Sequence, residues 1–149
     1  MKLKDLCVLD VACCTRDLSI VGAARMMRQQ HTGDLIVVDD VDGSREPVGI
    51  VTDRDIVVEV LALGRDPEQT RVDEIMTTRL VIASSSEDAG AALARMRTHG
   101  VRRIPVVDDD AVILGIVTLD DLLKLHAEQA AALLDVITAE QTRESRTRR

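Results

Sequence analysis

The sequence predicts a mixed α/β fold: two repeats of strand, helix, strand, strand, helix order, packed sheet to sheet about a pseudo-twofold axis, then an extended C-terminal helix. Three observations predict it. GIVTDRD at 49–55 recurs as GIVTLDD at 115–121, and VVDD at 37–40 recurs at 106–109, so the chain is an internal duplication. In both copies an apolar stripe with helical spacing, Ile20, Ala24 and Met27 or Ala89, Leu93 and Met96, precedes two short apolar strands. Finally, a half of ~60–70 residues buries too little surface to be comfortably stable alone, which pairing of the two sheets would remedy.

In the first copy the elements are VACC (11–14), a helix near 19–30, LIVVD, VGIVT, and a helix from Asp53 that ends at Gly64, a suitable C-cap. In the second they are LVIA (80–83), a helix opened by Ser86 over about 87–98, IPVVD, VILGIVT, and a helix from 119. The offset between copies is 69 at VVDD and 66 from Gly49 and Gly115 onward, which assigns the extra residues of VDGSREP (41–47) to a surface hairpin loop. TRVDEIM at 70–76 reads as a short capped turn between the copies. The division is therefore residues 1–66, 67–126 and a helical extension with a basic tail at 127–149. Apolar residues at 119, 122, 123, 130, 133, 134 and 137, with His126 among them, keep helical spacing. A stripe that outruns its domain points to a partner helix, packing on its own chain being the alternative. The tail RESRTRR at 143–149 reads as a frayed, solvated end.

Composition narrows the function. Of the 149 residues 46% are apolar, none is Phe, Tyr or Trp, and the net charge is -7, so nucleic acid is not an expected partner: clustered cations and stacking rings are both missing. No apolar run approaches a ~20-residue membrane span, and residues 1–15 do not form a signal peptide. Three cysteines, at 7, 13 and 14, give an odd count without CxxC spacing, which fits a cytoplasmic protein with thiols in an apolar strand rather than a metal site. His31, His99 and His126 lack motif-level carboxylate or thiol partners, so no catalytic constellation is evident.

The repeated motif has two readings. Thr52-x-x-Asp55 and Thr118-x-x-Asp121 have capping-box spacing at a strand-to-helix junction. The same groups could seat a nucleotide, the helix start and Thr hydroxyl meeting phosphate and the Asp carboxylate meeting a ribose diol. A phosphate beside Asp requires a cation. Arg102 and Arg103, in HGVRRIPVVD at 99–108, are candidates, and a solvated pair at a strand entrance is the alternative.

The doubled G-I-V-T-x-x-D motif, HGVRRIPVVD, the A-x-x-x-M helix and VDEIM resemble a tandem pair of CBS domains, a Bateman module, over roughly residues 5–125. The resemblance implies regulatory binding of an adenosine compound (AMP, ADP, ATP, NAD or S-adenosylmethionine) between the repeats, without catalysis or a required metal, in a stand-alone homodimer that signals to an effector protein. It assigns ribose and phosphate contacts to Thr52 with Asp55 and to Thr118 with Asp121. Arg102 and Arg103 would serve the Thr52 cleft, with Arg54 as a possible further contact. Adenine would lie in an aliphatic slot of Ile50, Val81 and Ile104, beside Pro105. At the offset of 69, Gly33 and Asp34 stand where the second copy has Arg102 and Arg103, and Ile36 where it has Pro105. One strong nucleotide cleft and one weaker or differently liganded cleft are expected. A ligand-free dimerisation scaffold is the competing reading.

Overall fold

Residues 1–148 are described by a computed structural model. In chain order the elements are α1 (Leu3–Leu6), β1 (Cys13–Cys14), α2 (Ile20–Gln30), β2 (Asp34–Val41), β3 (Ser44–Thr52), α3 (Asp53–Ile56), β4 (Ala83–Ser84), α4 (Ala89–His99), β5 (Arg103–Val107), β6 (Ile113–Thr118) and α5 (Leu119–Thr147). They build two sheets of one plan, β1-β2-β3 and β4-β5-β6, each with a parallel first pair and an antiparallel second pair. Even the irregularities repeat, since the register shifts at Val37/Val38 and at Val106/Val107.

Local chemistry sets the helix ends. Ser19 caps α2 by accepting from the Gly22 amide at 3.1 Å. α4 is capped by Asp88, which accepts from the Ala91 amide at 2.8 Å, and not by Ser86. The Ser86 hydroxyl is instead 2.9 Å from that of Ser84, within the preceding turn. α3 widens into one π-turn, Val57–Leu61, and Gly64 follows at φ 65°. α4 ends on Gly100 at φ 65°, but the matching residue of α2 is His31, held at φ 52°.

Three expectations are corrected. VACC and LVIA contribute only the two-residue strands β1 and β4, because one short parallel pairing is all each makes. VDGSREP is not a loop: β2 and β3 run through it to a tight turn at Asp42 and Gly43, φ 51° and 81°, so the additional residues lengthen the hairpin. The tail is helical through Thr147, with the hydroxyls of Thr142 and Thr147 donating to carbonyls four residues back.

Packing interleaves the repeats. α1, for which the sequence reading made no allowance, buries Leu3 in the second repeat's core with Ala92, Ile104 and Leu122. Val8 then pairs with Ile116. Reciprocally, Val72 of a 3-10 turn (Val72–Glu74) lies in the first repeat's core with Ile20, Leu35 and Val51, and Thr77 pairs with Ile50. Each core is thus closed by the segment leading into the other repeat, and the boundary at 66/67 does not separate the packing units. Between the sheets, Ile36, Val38 and Ile113 are buried, with Ile50 and Ile116 against them, so the sheets pack face to face.

Candidate functional site

Thr52 and Thr118 end β3 and β6, where the strand hands over to a helix. Both form complete capping boxes: Thr52 Oγ1 accepts from the Asp55 amide at 3.2 Å while Asp55 Oδ2 accepts from the Thr52 amide at 2.9 Å. Thr118 and Asp121 repeat this at 3.2 and 2.8 Å, and the Thr118 hydroxyl also donates to Asp121 Oδ2 at 2.7 Å. Capping does not exhaust these groups. Each carboxylate has further lone pairs, on Oδ1 above all, so the helix start remains able to accept a diol.

Thr118 opens onto an inter-repeat cavity of about 530 Å³, which it shares with Ile116 of its own repeat and with Asp10, Val11, Gln30 and Asp34 of the first. That volume suits a nucleoside-sized ligand. Its lining carries two carboxylates, Asp10 and Asp34; Asp34 is paired with Arg103 from outside the lining, which leaves Asp10 as the carboxylate that disfavours a phosphate. Gly33 lies elsewhere, lining a more open hollow with Arg28, His31 and Asp53; a side chain at Gly33 would stand 2.9 Å from Asp53 Oδ2.

The two arginines do not act as a pair on Thr52. Arg102 and Arg103 line a cavity of about 270 Å³ with Thr118, Leu119 and Asp120 of their own repeat, because the Arg102 carbonyl accepts from the Leu119 amide and Arg103 sits opposite Thr118 in the sheet. Only Arg103 crosses: its Nε lies 3.2 Å from Asp34 Oδ1, and Asp34 is the register partner of Thr52. Arg54 is exposed on the first turn of α3.

The expected adenine slot is also redrawn. Ile104 is fully buried in the second core, and Val81 packs against that core. Ile104 faces the helices because alternation along β5 gives Pro105 the other face, so it does not line an open slot. Ile50 packs against the inter-sheet cluster. Asp10 was missed, yet the signal was available: at the offset of 69 its counterpart is Arg79, a charge reversal at the rim.

The thiols are quiet. Cys13 packs against the inter-sheet cluster and Cys14 lies in the first core, while Cys7 ends α1 and lies in no strand. Burial pushes all three pKa values up, that of Cys14 to about 11. Among the described residues no cluster of three metal-ligating side chains occurs, and no helix is long and apolar enough to cross a membrane.

Two sheets of one plan, exchanged lead-in segments and a Thr/Asp cap at each β-to-α junction define a pseudo-symmetric pair of small α/β domains. The family model for the CBS domain matches residues 3–62 and 72–128, and the chain belongs to that family. It is 38% identical over 138 residues to the CBS domain-containing protein YhcV of Bacillus subtilis, covering 91% of this chain and 94% of that one. It is 32% identical over 113 residues to the uncharacterized protein MK0525 of Methanopyrus kandleri, with 76% of this chain matched to 56% of that protein. The crystal structure of the CBS domain pair of protein MJ0100, in complex with 5-methylthioadenosine and S-adenosyl-L-methionine, superposes at a TM-score of 0.73 with 28% identity, covering 87% of this chain and 98% of that one.

Proposed function

We propose that the protein is a regulatory module that binds an adenosine compound between its repeats and signals by a change of conformation or assembly to an effector protein in trans, as a cytoplasmic homodimer. The observation that carries this reading is the cavity of about 530 Å³ that joins Thr118 to the first repeat, so that its occupant touches both halves and can favour one packing of them over another. The CBS domain pair bound to 5-methylthioadenosine and S-adenosyl-L-methionine supports an adenosine ligand.

The charge of the clefts divides the ligands. Asp10 and Asp34 at the Thr118 cleft favour an adenosine compound that carries no phosphate, or a positive centre as in S-adenosylmethionine. The Thr52 cleft, whose counterpart positions are Arg79 and Arg103, is the one suited to AMP, ADP or ATP, with Thr52 and Asp55 on the ribose and phosphate and the phosphate taking the place of Asp34 as the partner of Arg103. NAD remains a candidate for the same basic cleft.

Calorimetric titration of AMP, ATP and S-adenosylmethionine against the native protein, Asp55→Ala and Asp121→Ala tests the reading. Asp55→Ala is expected to weaken the phosphorylated ligands and Asp121→Ala the sulfonium ligand. Equal losses from both variants would remove the division of ligands. Lowered melting temperatures with unchanged affinities would leave the motif as a pair of caps and favour the ligand-free scaffold.

A further inference from the structure

α5 continues past the domain it closes. Leu122 and Leu125 are buried against the second repeat, but from Ala127 to Thr147 every helical residue is exposed, a free arm of ~30 Å at 1.5 Å per residue. Most helical stability in proteins comes from packing of an apolar face rather than from propensity, so such an arm is stabilised when that face is covered. That face exists: Ala130, Leu133, Leu134 and Ile137 fall on one stripe, with the three large residues 70%, 63% and 51% exposed. Beyond His126, towards the domain, Leu123, 58% exposed, and Leu93 of α4, 36% exposed, are further uncovered apolar side chains.

We infer that this stripe is the seat of a second copy of the chain, whose α5 lies antiparallel to the first. The inference rests on the homodimer reading above and specifies its surface and direction. Charge selects the direction. The domain-proximal part of the helix carries Asp120, Asp121, Glu128 and Asp135 against a lone Lys124, and the distal part carries Arg143, Arg146 and Arg148 against Glu140 and Glu144, so the two parts differ in net sign. A parallel pair sets the arginines of one copy beside those of the other, whereas an antiparallel pair sets Arg143 beside the partner's Glu128 and opposes the two helix dipoles. Area agrees. A specific dimer needs roughly 1,200 Å² of buried surface, more than a seam of two helical turns supplies. In the antiparallel arrangement each arm reaches back towards the partner's Leu123 and the partner's Leu93, which enlarges the seam. The register that centres the stripes places Leu134 beside the partner's Ile137 and Ala130 beside the partner's Gln141.

Sedimentation equilibrium of the full chain tests the surface. Leu134→Asp with Ile137→Asp should raise the dimer dissociation constant at least about tenfold with circular dichroism unchanged in the domain, since both side chains are exposed. Dimerisation equal to the native protein's would overturn the helix pairing while leaving a homodimer through another face. A native protein that is monomeric at tens of micromolar would overturn both. Direction is read by oxidative cross-linking: Gln141→Cys alone should not cross-link, and Ala130→Cys with Gln141→Cys should. Efficient cross-linking of Gln141→Cys alone would show a parallel pair and overturn the antiparallel assignment.

Discussion

The Arg103 guanidinium and the Asp34 carboxylate meet at 3.2 Å, and these are the same position of the two repeats. Equivalent residues touch in this way only close to the pseudo-twofold axis, where an unaltered duplication would have set like beside like. The charge difference turns that repulsion into an attraction between the repeats. It also engages, within the protein itself, the cation that would otherwise be free for a phosphate at the Thr52 cleft.

Because Arg103 keeps 40% of its side chain exposed, solvent screens the pair and it contributes no more than about 1 kcal/mol. Asp34→Arg should nevertheless cost more than Asp34→Ala, by placing two guanidiniums at the axis, and Arg103→Asp in the same molecule should restore most of the loss. Chemical denaturation of Asp34→Ala, Asp34→Arg, Arg103→Asp and the charge-swapped double variant reads this, and additive effects would mean the contact does not form in solution.

At the acidic cleft, Asp10→Asn with Asp34→Asn removes both rim carboxylates while leaving the cavity shape intact. Affinity for AMP should rise severalfold, most at low salt, and affinity for a cationic adenosyl ligand should fall. Calorimetry at two ionic strengths checks the outcome.

His31 holds a left-handed φ of 52° at the end of α2 where the second copy has Gly100. His31→Gly should therefore stabilise the protein by up to about 1 kcal/mol, the strain of a side chain in that region exceeding the entropy cost of glycine. Thermal melts of the single variant decide it.

Burial pushes the Cys14 thiol up to about 11 in the folded protein, from an ordinary value of 9.0. The proton is held more tightly in the folded state, so this group's stabilisation is complete below about pH 9 and is lost as pH rises towards 11. The loss is on the order of 2 kcal/mol. Urea unfolding of native protein and Cys14→Ala across that window should show the native curve falling more steeply.

Leu3 lies at the far end of the chain from the core it fills. Leu3→Ala should destabilise by about 2–5 kcal/mol, and hydrogen exchange should report the loss in α4 and β5 of the second repeat rather than in α2 and β2.

Much of the site was legible. The Thr/Asp pairs, their position at the β-to-α junctions and the stripes of α2 and α4 follow from spacings within one or two turns, where a capping oxygen or an apolar side chain meets its partner locally. The errors are of another kind. Ser86 was a plausible cap until Ser84 engaged it; Ile104 looked like a slot residue until alternation along β5 turned it into the core. Arg102 and Arg103 read as a pair for the Thr52 cleft, but Arg102 precedes β5 and both line a cavity with Thr118 of their own repeat, from which only Arg103 reaches across to Asp34.

By itself the sequence determined the duplication, the element order and the two capping boxes, because each depends on near neighbours and on a repeat visible in one dimension. Only the tertiary structure decided that Leu3 and Val72 exchange cores, that Arg103 meets Asp34, and that the cavity at Thr118 is rimmed by Asp10. Those are contacts between segments far apart in the chain, fixed by how two sheets pack across an axis, and no local spacing encodes where that axis falls.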